Sequence, residues 1–249
     1  MVNTGKEHAL EIDLGHDQRG SRIIWDTKDS PTLTVTGHEG CGKTTFADRI
    51  MLEAQRDGAS VTRLGRKGVP LPSPTIMNLD YGDDTRIIEL LERAQAEQRR
   101  RMSGHPTETD APARRPLLLV FDDFDAMTQG EVSNERPCGA YKTISVLLNG
   151  IIGQARQTGV AVVLAGRELN RRTMGRDLAA RLREEATHVH LGAAPVTPLI
   201  RKSNHSHATT MIVNTEADMR TPFGWGAYED NTGAVRQLRT DIDGKETDR

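Results

Sequence analysis

The sequence of 249 residues is poor in aromatic side chains, at 4%, and holds two cysteines, Cys41 and Cys138. Aliphatic residues must therefore build the core, and two thiols cannot supply the disulfide framework of a small secreted domain. No apolar run approaches the ~20 residues of a membrane span. The longest, Leu117 to Phe121 and Val160 to Ala165, have the length of buried strands. The opening residues Met-Val-Asn-Thr-Gly-Lys-Glu-His carry no apolar signal core, so neither secretion by that route nor membrane insertion is expected, and a cytoplasmic setting fits. A dominant charge is missing as well. Lys and Arg number 33 against 35 Asp and Glu, a formal net charge of -2, so a nucleic-acid partner would have to be met by a local patch.

What is present suffices for one elaborated α/β domain: 36% hydrophobic residues and a length between one minimal domain and two full ones. Leu10 to Leu14 and Arg22 to Trp25 flank a turn-rich stretch and read as a hairpin. Thr32 to Thr36 is a strand, followed by a glycine-rich loop and a helix over Lys43 to Gln55, with Phe46, Ile50, Met51 and Ala54 at helical spacing. Ser60 to Leu64 is a second strand and Thr85 to Met102 a long helix. Residues 103–116 and 128–140 read as exposed loops. Helices are expected over Lys142 to Arg156 and Asp177 to Glu185, and short strands at Thr187 to Leu191, Thr209 to Val213, Trp225 to Tyr228 and Ala234 to Leu238. Strands alternating with helices imply a mainly parallel central sheet flanked by helices. The expected organisation is a hairpin and lead-in over 1–31, one P-loop domain over 32–239 and a disordered tail over 240–249.

The residues from Gly37 through His38, Glu39, Gly40, Cys41, Gly42 and Lys43 to Thr44 satisfy G-x-x-x-x-G-K-[ST], between a strand and a helix as the motif requires. Glycines let backbone N-H groups turn toward a polyphosphate, and the helix N-terminus adds partial positive charge. Lys43 would reach the β and γ phosphates and Thr44 would ligate Mg²⁺, with Thr45 completing the nucleotide-binding set. Cys41 at a helix N-terminus invites a redox reading, but a small loop residue is the simpler account.

The buried strand Leu117 to Phe121 ends in Asp122 and Asp123, about 75 residues after the loop, a separation that suits a P-loop protein with an inserted strand and helix. Asp122 would hold the Mg²⁺ shell, and Asp123 is placed to orient or deprotonate an attacking water. The next strand ends at Gly166-Arg167, where a polar residue can sense a γ phosphate.

Several segments together resemble the motor domain of the FtsK/SpoIIIE family of DNA-translocating ATPases: "IDLGHDQRGSRIIWDTKDSPTLTVTGHEGCGKTT", "LLLVFDDFDAM" and "LLNGIIGQARQTGVAVVLAGREL". The resemblance runs from about Leu10 to about Arg239. It implies a RecA-like fold, ATP and Mg²⁺ as cofactors, a homo-oligomeric ring, a hexamer in that family, and movement of double-stranded DNA. Where the family has Asp-Glu this chain has Asp122-Asp123, and where it often has Gln this chain has Arg167. Arg156, matching the family's Gly-Arg element, and Arg183 are the candidate arginine fingers, and Arg99, Arg100, Arg101, Arg114, Arg115, Arg171 and Arg172 the candidate DNA contacts.

Two other functions fit the same residues. A related motor could couple to a protein or nucleoprotein cargo, with a membrane-anchored or nucleoprotein partner; the neutral charge balance favours this, and the lack of a membrane segment weighs against it. A nucleotide-binding regulatory module with little turnover is the other, supported by Asp123 in place of Glu and Arg167 in place of Gln.

Overall fold

The computed structural model of the chain describes residues 9–66, 68–103, 115–127, 138–167, 169–192 and 224–240; for residues 138, 139 and 172 it describes the backbone alone. The elements are β1 (Glu11–His16), β2 (Arg22–Asp26), β3 (Thr32–Gly37), α1 (Lys43–Arg56), β4 (Ser60–Gly65), β5 (Met77–Asp80), α2 (Asp84–Met102), β6 (Leu117–Phe121), α3 (Cys138–Thr158), β7 (Val160–Gly166), α4 (Arg171–Met174), α5 (Arg176–Glu185), β8 (Thr187–Leu191), β9 (Trp225–Glu229) and β10 (Val235–Arg239).

They build one ten-stranded sheet in the order β2-β1-β10-β9-β8-β3-β7-β6-β4-β5. The six strands from β8 to β5 are mutually parallel, and the hairpin and the last two strands extend them antiparallel. This is the expected mixed α/β class of the RecA-like kind. Because side chains alternate across a strand, the apolar run of β6 splits between the two faces. Leu118 and Val120 join Leu33, Val35 and Val163 under α1, which contributes Phe46, Ile50 and Met51. Leu119 and Phe121 face the other way with Val162 and Leu164, against Ile87 and Leu91 of α2, Ile144 and Leu148 of α3 and Leu182 of α5. Each such buried side chain contributes about 1.5–3 kcal/mol.

α2 is started by Asp83, whose carboxylate accepts from Arg86 N at 3.2 Å, and it ends in Arg99, Arg100 and Arg101, the sign a helix C-terminus favours. Its buried Gln98 donates to Ile151 O at 2.9 Å and Thr158 Oγ1 at 3.0 Å, which locks α2 onto α3. The hairpin joins the sheet where β1 is bulged at Gly15. A Cβ there would lie 2.1 Å from Arg239 O, so only glycine lets β10 pair alongside.

Three expectations differ from the structure. Helix α3 begins at Cys138, earlier than Lys142 and inside a stretch whose composition reads as an exposed loop. A helical turn occupies residues 124–127, a stretch in which the sequence pattern places no element. β5 has no counterpart among the expected strands, because four residues on a sheet edge, none of them buried, are too few for the alternation of Met77, Asn78, Leu79 and Asp80 to stand out. The strand expected at Thr209 to Val213, most of the two loops and nearly all of the tail fall outside the described residues.

Candidate functional site

Parallel strands end on a common edge, and the strand order sets β7 between β3 and β6. The segments that follow β3, β7, β6 and β4 therefore meet in one cleft of about 490 Å³. Glu39, Gly40, Gly42, Lys43, Thr44 and Thr45 line it from the loop, Asp122, Asp123 and Asp125 from the end of β6, Arg167 from the end of β7 and Arg66 from the end of β4. Thus the sequence-derived set of loop residues, paired acids and Arg167 converges. Gly37, His38 and Cys41 belong to the loop without lining the cleft.

The loop is shaped by backbone conformations that glycine tolerates. Gly37 has φ 150°, and a Cβ there would lie 2.3 Å from Leu191 O and 2.6 Å from Cys41 Sγ, so the loop can leave β3 beside β8 only without a side chain. Gly40, at φ 79°, meets nothing within 4 Å, and its requirement is conformational alone. Gly42 caps α1 in the left-handed region, offers no side-chain acceptor, and no acid occupies the first turn. The first N-H groups of α1 are therefore disposed for an anion in the cleft. Lys43 Nζ folds back on the loop, donating to Gly37 O at 2.9 Å and His38 O at 2.7 Å. Cys41 is buried, and that burial pushes its thiol up despite the nearby Lys43, which fits a packing residue rather than a reactive one.

Thr44 Oγ1 donates to Asp122 Oδ1 at 3.1 Å, uniting the first turn of α1 with the end of β6. The other oxygen, Asp122 Oδ2, accepts from Arg63 Nη2 of β4. Arg63 is fully buried and donates also to Pro70 O at 3.0 Å. Asp123 sits at φ 62°, a left-handed conformation that Asp tolerates better than most residues, and pairs through Oδ2 with Arg66 Nε at 2.6 Å. Asp125 accepts from the backbone N of Arg167, whose guanidinium reaches Glu39 Oε2 at 2.7 Å. Glu39, which its variable position in the motif marks as loop variation, thus ties the phosphate loop to the end of β7.

Two further groups stand in the field of this cluster. Burial pushes Asp48, one turn along α1 from Thr44, up to about 6; Arg63 opposes the shift and Asp122 adds to it. Burial raises Tyr81 well above the usual phenol range, and Asp122 and Asp123 push the same way. Sequence reasoning misses Arg63, Arg66, Asp48 and Tyr81. The available signal is Arg63 itself, a charged residue inside a run expected to be a strand.

Among the described residues no three His, Cys, Asp or Glu side chains are grouped to hold a metal ion. Thr44 with Asp122 is a sparse donor pair of the kind Mg²⁺ uses when phosphate and water oxygens complete its shell. The arginines divide. Arg156 donates to Asp29 O at 2.5 Å, at the opposite edge of the sheet from the loop, and Arg183 lies in the last turn of α5 just before β8, on that same far edge. Neither lines the cleft within this chain. Arg100 and Arg101 pair with Glu97 at 2.7 Å, and Arg101, largely buried, clamps Thr158 O and Arg115 O. Arg114 and the side chain of Arg172 lie outside the described residues. Among the described residues no helix is long and apolar enough to cross a membrane.

The family model of the NACHT domain matches residues 31–195. Comparison with curated proteins finds no match. Among solved structures, the chain is similar to the pCW3 conjugation coupling protein TcpA with ATPγS (TM-score 0.68, 12% identity, 95% of this chain and 66% of that one). It is similar also to the cytoplasmic domain of EssC (0.63, 15%, 96% and 44%), and to ATPases 2 and 3 of Thermomonospora curvata EccC in complex with a signal sequence peptide (0.61, 15%, 96% and 41%). At these identities the likeness is one of fold. The chain spans less than half the length of the EssC and EccC chains.

Proposed function

Because the chain belongs to the NACHT-domain family of P-loop NTPases, we propose that the cleft binds ATP and hydrolyses it, and that the chain works as a motor of the FtsK/SpoIIIE-like kind within a ring. The observation that carries the reading is the meeting of Thr44 and Asp122 at 3.1 Å, with Asp123 beside them and β7 inserted between the strands of the loop and the acids.

In this reading Lys43 leaves its loop carbonyls for the β and γ phosphates, while the glycine backbone and the start of α1 hold the chain of phosphates. Thr44 and Asp122 hold Mg²⁺, which when bound would offset charge on the phosphate oxygens. Asp123 orients the attacking water and takes its proton. Arg167 is the γ-phosphate sensor, released from Glu39. Arg156 or Arg183, remote from its own cleft, would complete a neighbour's cleft across a subunit interface.

Double-stranded DNA is the first cargo, by the resemblance of the motor segments. A second cargo, a protein or a nucleoprotein held by a membrane-anchored partner, is favoured by one observation: Arg100 and Arg101, two of the arginines offered for DNA, are engaged with Glu97. Phosphate release with and without double-stranded DNA, on material sized by light scattering, decides between them. Stimulation in a ring-sized species supports the first. An unstimulated rate, with no DNA retained at low salt in the presence of ATPγS, removes DNA and leaves the second.

A further inference from the structure

The two adjacent acids at the end of β6 are each held by an arginine from the end of β4, but under opposite conditions. Arg63 and Asp122 are buried, their side chains 1% and 6% exposed, and Arg63 has a second anchor in Pro70 O, so that pair is fixed. Arg66 and Asp123 are 58% and 37% exposed, joined by one contact at 2.6 Å. Solvent-exposed pairs of this kind are worth little and exchange readily. Both members of the exposed pair line the cleft that also holds Lys43 and Thr44. The guanidinium faces Asp123 Oδ2 and so occupies one of the two oxygens with which Asp123 could take a proton from water.

We infer that Arg66 is a catalytic residue supplied by the same chain, which passes from Asp123 to the γ phosphate of a bound nucleoside triphosphate and in doing so frees Asp123 to act on water. This inference rests on the reading that the cleft holds a nucleotide. The physical cause is charge: a terminal phosphate offers a guanidinium more negative charge and a better forked set of acceptors than one carboxylate does. A diphosphate lacks those oxygens, so Arg66 stays on Asp123 and the base stays blocked. In the hydrolysis thus permitted, the water oxygen bonds the γ phosphorus, its proton goes to Asp123 Oδ2, and the bond from that phosphorus to the bridging oxygen breaks with its electron pair left on the departing diphosphate. The register supports the assignment. Asp122 N donates to Leu64 O at 2.8 Å, which fixes the end of β6 against β4, and Arg63 holds residue 70 beyond Arg66. Leu64 before Arg66 and Pro70 after it are thus both held, while the Arg66 side chain is more than half exposed.

The test is the ratio of ATPγS to ADP affinity, measured by calorimetry on the full chain with Mg²⁺. Arg66→Ala should weaken ATPγS by about tenfold and leave ADP within about twofold, with an unchanged thermal melt. Asp123→Asn, which releases the guanidinium, should tighten ATPγS relative to ADP, and adding Arg66→Ala should remove that gain. Equal loss of both nucleotides in Arg66→Ala, or no change in their ratio in either single variant, overturns the inference. If the unaltered protein binds neither nucleotide, or Lys43→Ala binds both normally, it is the underlying reading of the cleft that fails.

Discussion

Thr44 and Asp122, 78 positions apart, meet through a hydrogen bond of 3.1 Å from Thr44 Oγ1 to Asp122 Oδ1. The contact exists because β3 and β6 run parallel, on either side of β7, and release their chains at one edge of the sheet. Thr44→Ala should leave nucleotide affinity measured without Mg²⁺ unchanged and lower Mg²⁺-dependent turnover by about a hundredfold or more, since a bound metal is worth several kcal/mol in such chemistry. Titration of turnover against Mg²⁺ is the measurement. An unaltered Mg²⁺ dependence would remove Thr44 from the site.

Arg63 and Asp122 form a buried ion pair, and removing one partner strands the other. Arg63→Met should cost about 3–5 kcal/mol of stability in denaturant unfolding. Adding Asp122→Asn should return a large part of that loss, because the stranded charge is then gone. Additive losses in the double variant would show that the pair is not coupled.

The loop glycines separate by mechanism. Gly37→Ala drives a methyl group into the backbone of β8 and should cost about 3 kcal/mol together with nucleotide binding. Gly40→Ala meets open space and should cost about 1 kcal/mol from its backbone conformation alone. Thermal melts with and without ATPγS distinguish the two; equal effects would contradict the geometry.

Asp48 gives a pH signature. Its folded value lies near 6, above its ordinary 3.8, so the folded chain binds the proton more tightly than the unfolded one. Stability from this residue is therefore present below pH 3.8 and lost as pH rises through about 6. Asp48→Asn removes the loss and should stabilise the protein by about 1–2 kcal/mol at about pH 7.5, less than the ~3 kcal/mol of the full shift because the half-buried side chain is screened by solvent, with no gain near the bottom of that window. A gain independent of pH would assign the effect to packing instead.

Much of the site is legible in the sequence because its parts are local. Gly37 to Thr44 carries its own spacing, and Leu117 to Asp123 is an apolar run ended by acids, so each marks the end of a strand by its residues alone. The sheet follows from the alternation of strands and helices. Arg63, Arg66 and Asp48 stay hidden because their roles depend on neighbours across the sheet. Only the register that sets Leu64 beside Phe121 brings the end of β4 against Asp122 and Asp123. Glu39 is silent for the same reason, its partner Arg167 being 128 positions away. β5 is not legible because its alternation spans four residues, too few to mark a strand without its pairing to β4.

Hydrolysis of ATP in the cleft with Asp123 as base is tested with little disturbance by Asp123→Asn, since Asn also tolerates the left-handed backbone found there. The measurement is phosphate release from ATP with Mg²⁺ beside ATPγS affinity on the same protein. The variant should bind ATPγS at least as tightly as the unaltered chain while its turnover falls to background. Turnover equal to that of the unaltered chain would contradict that role for Asp123.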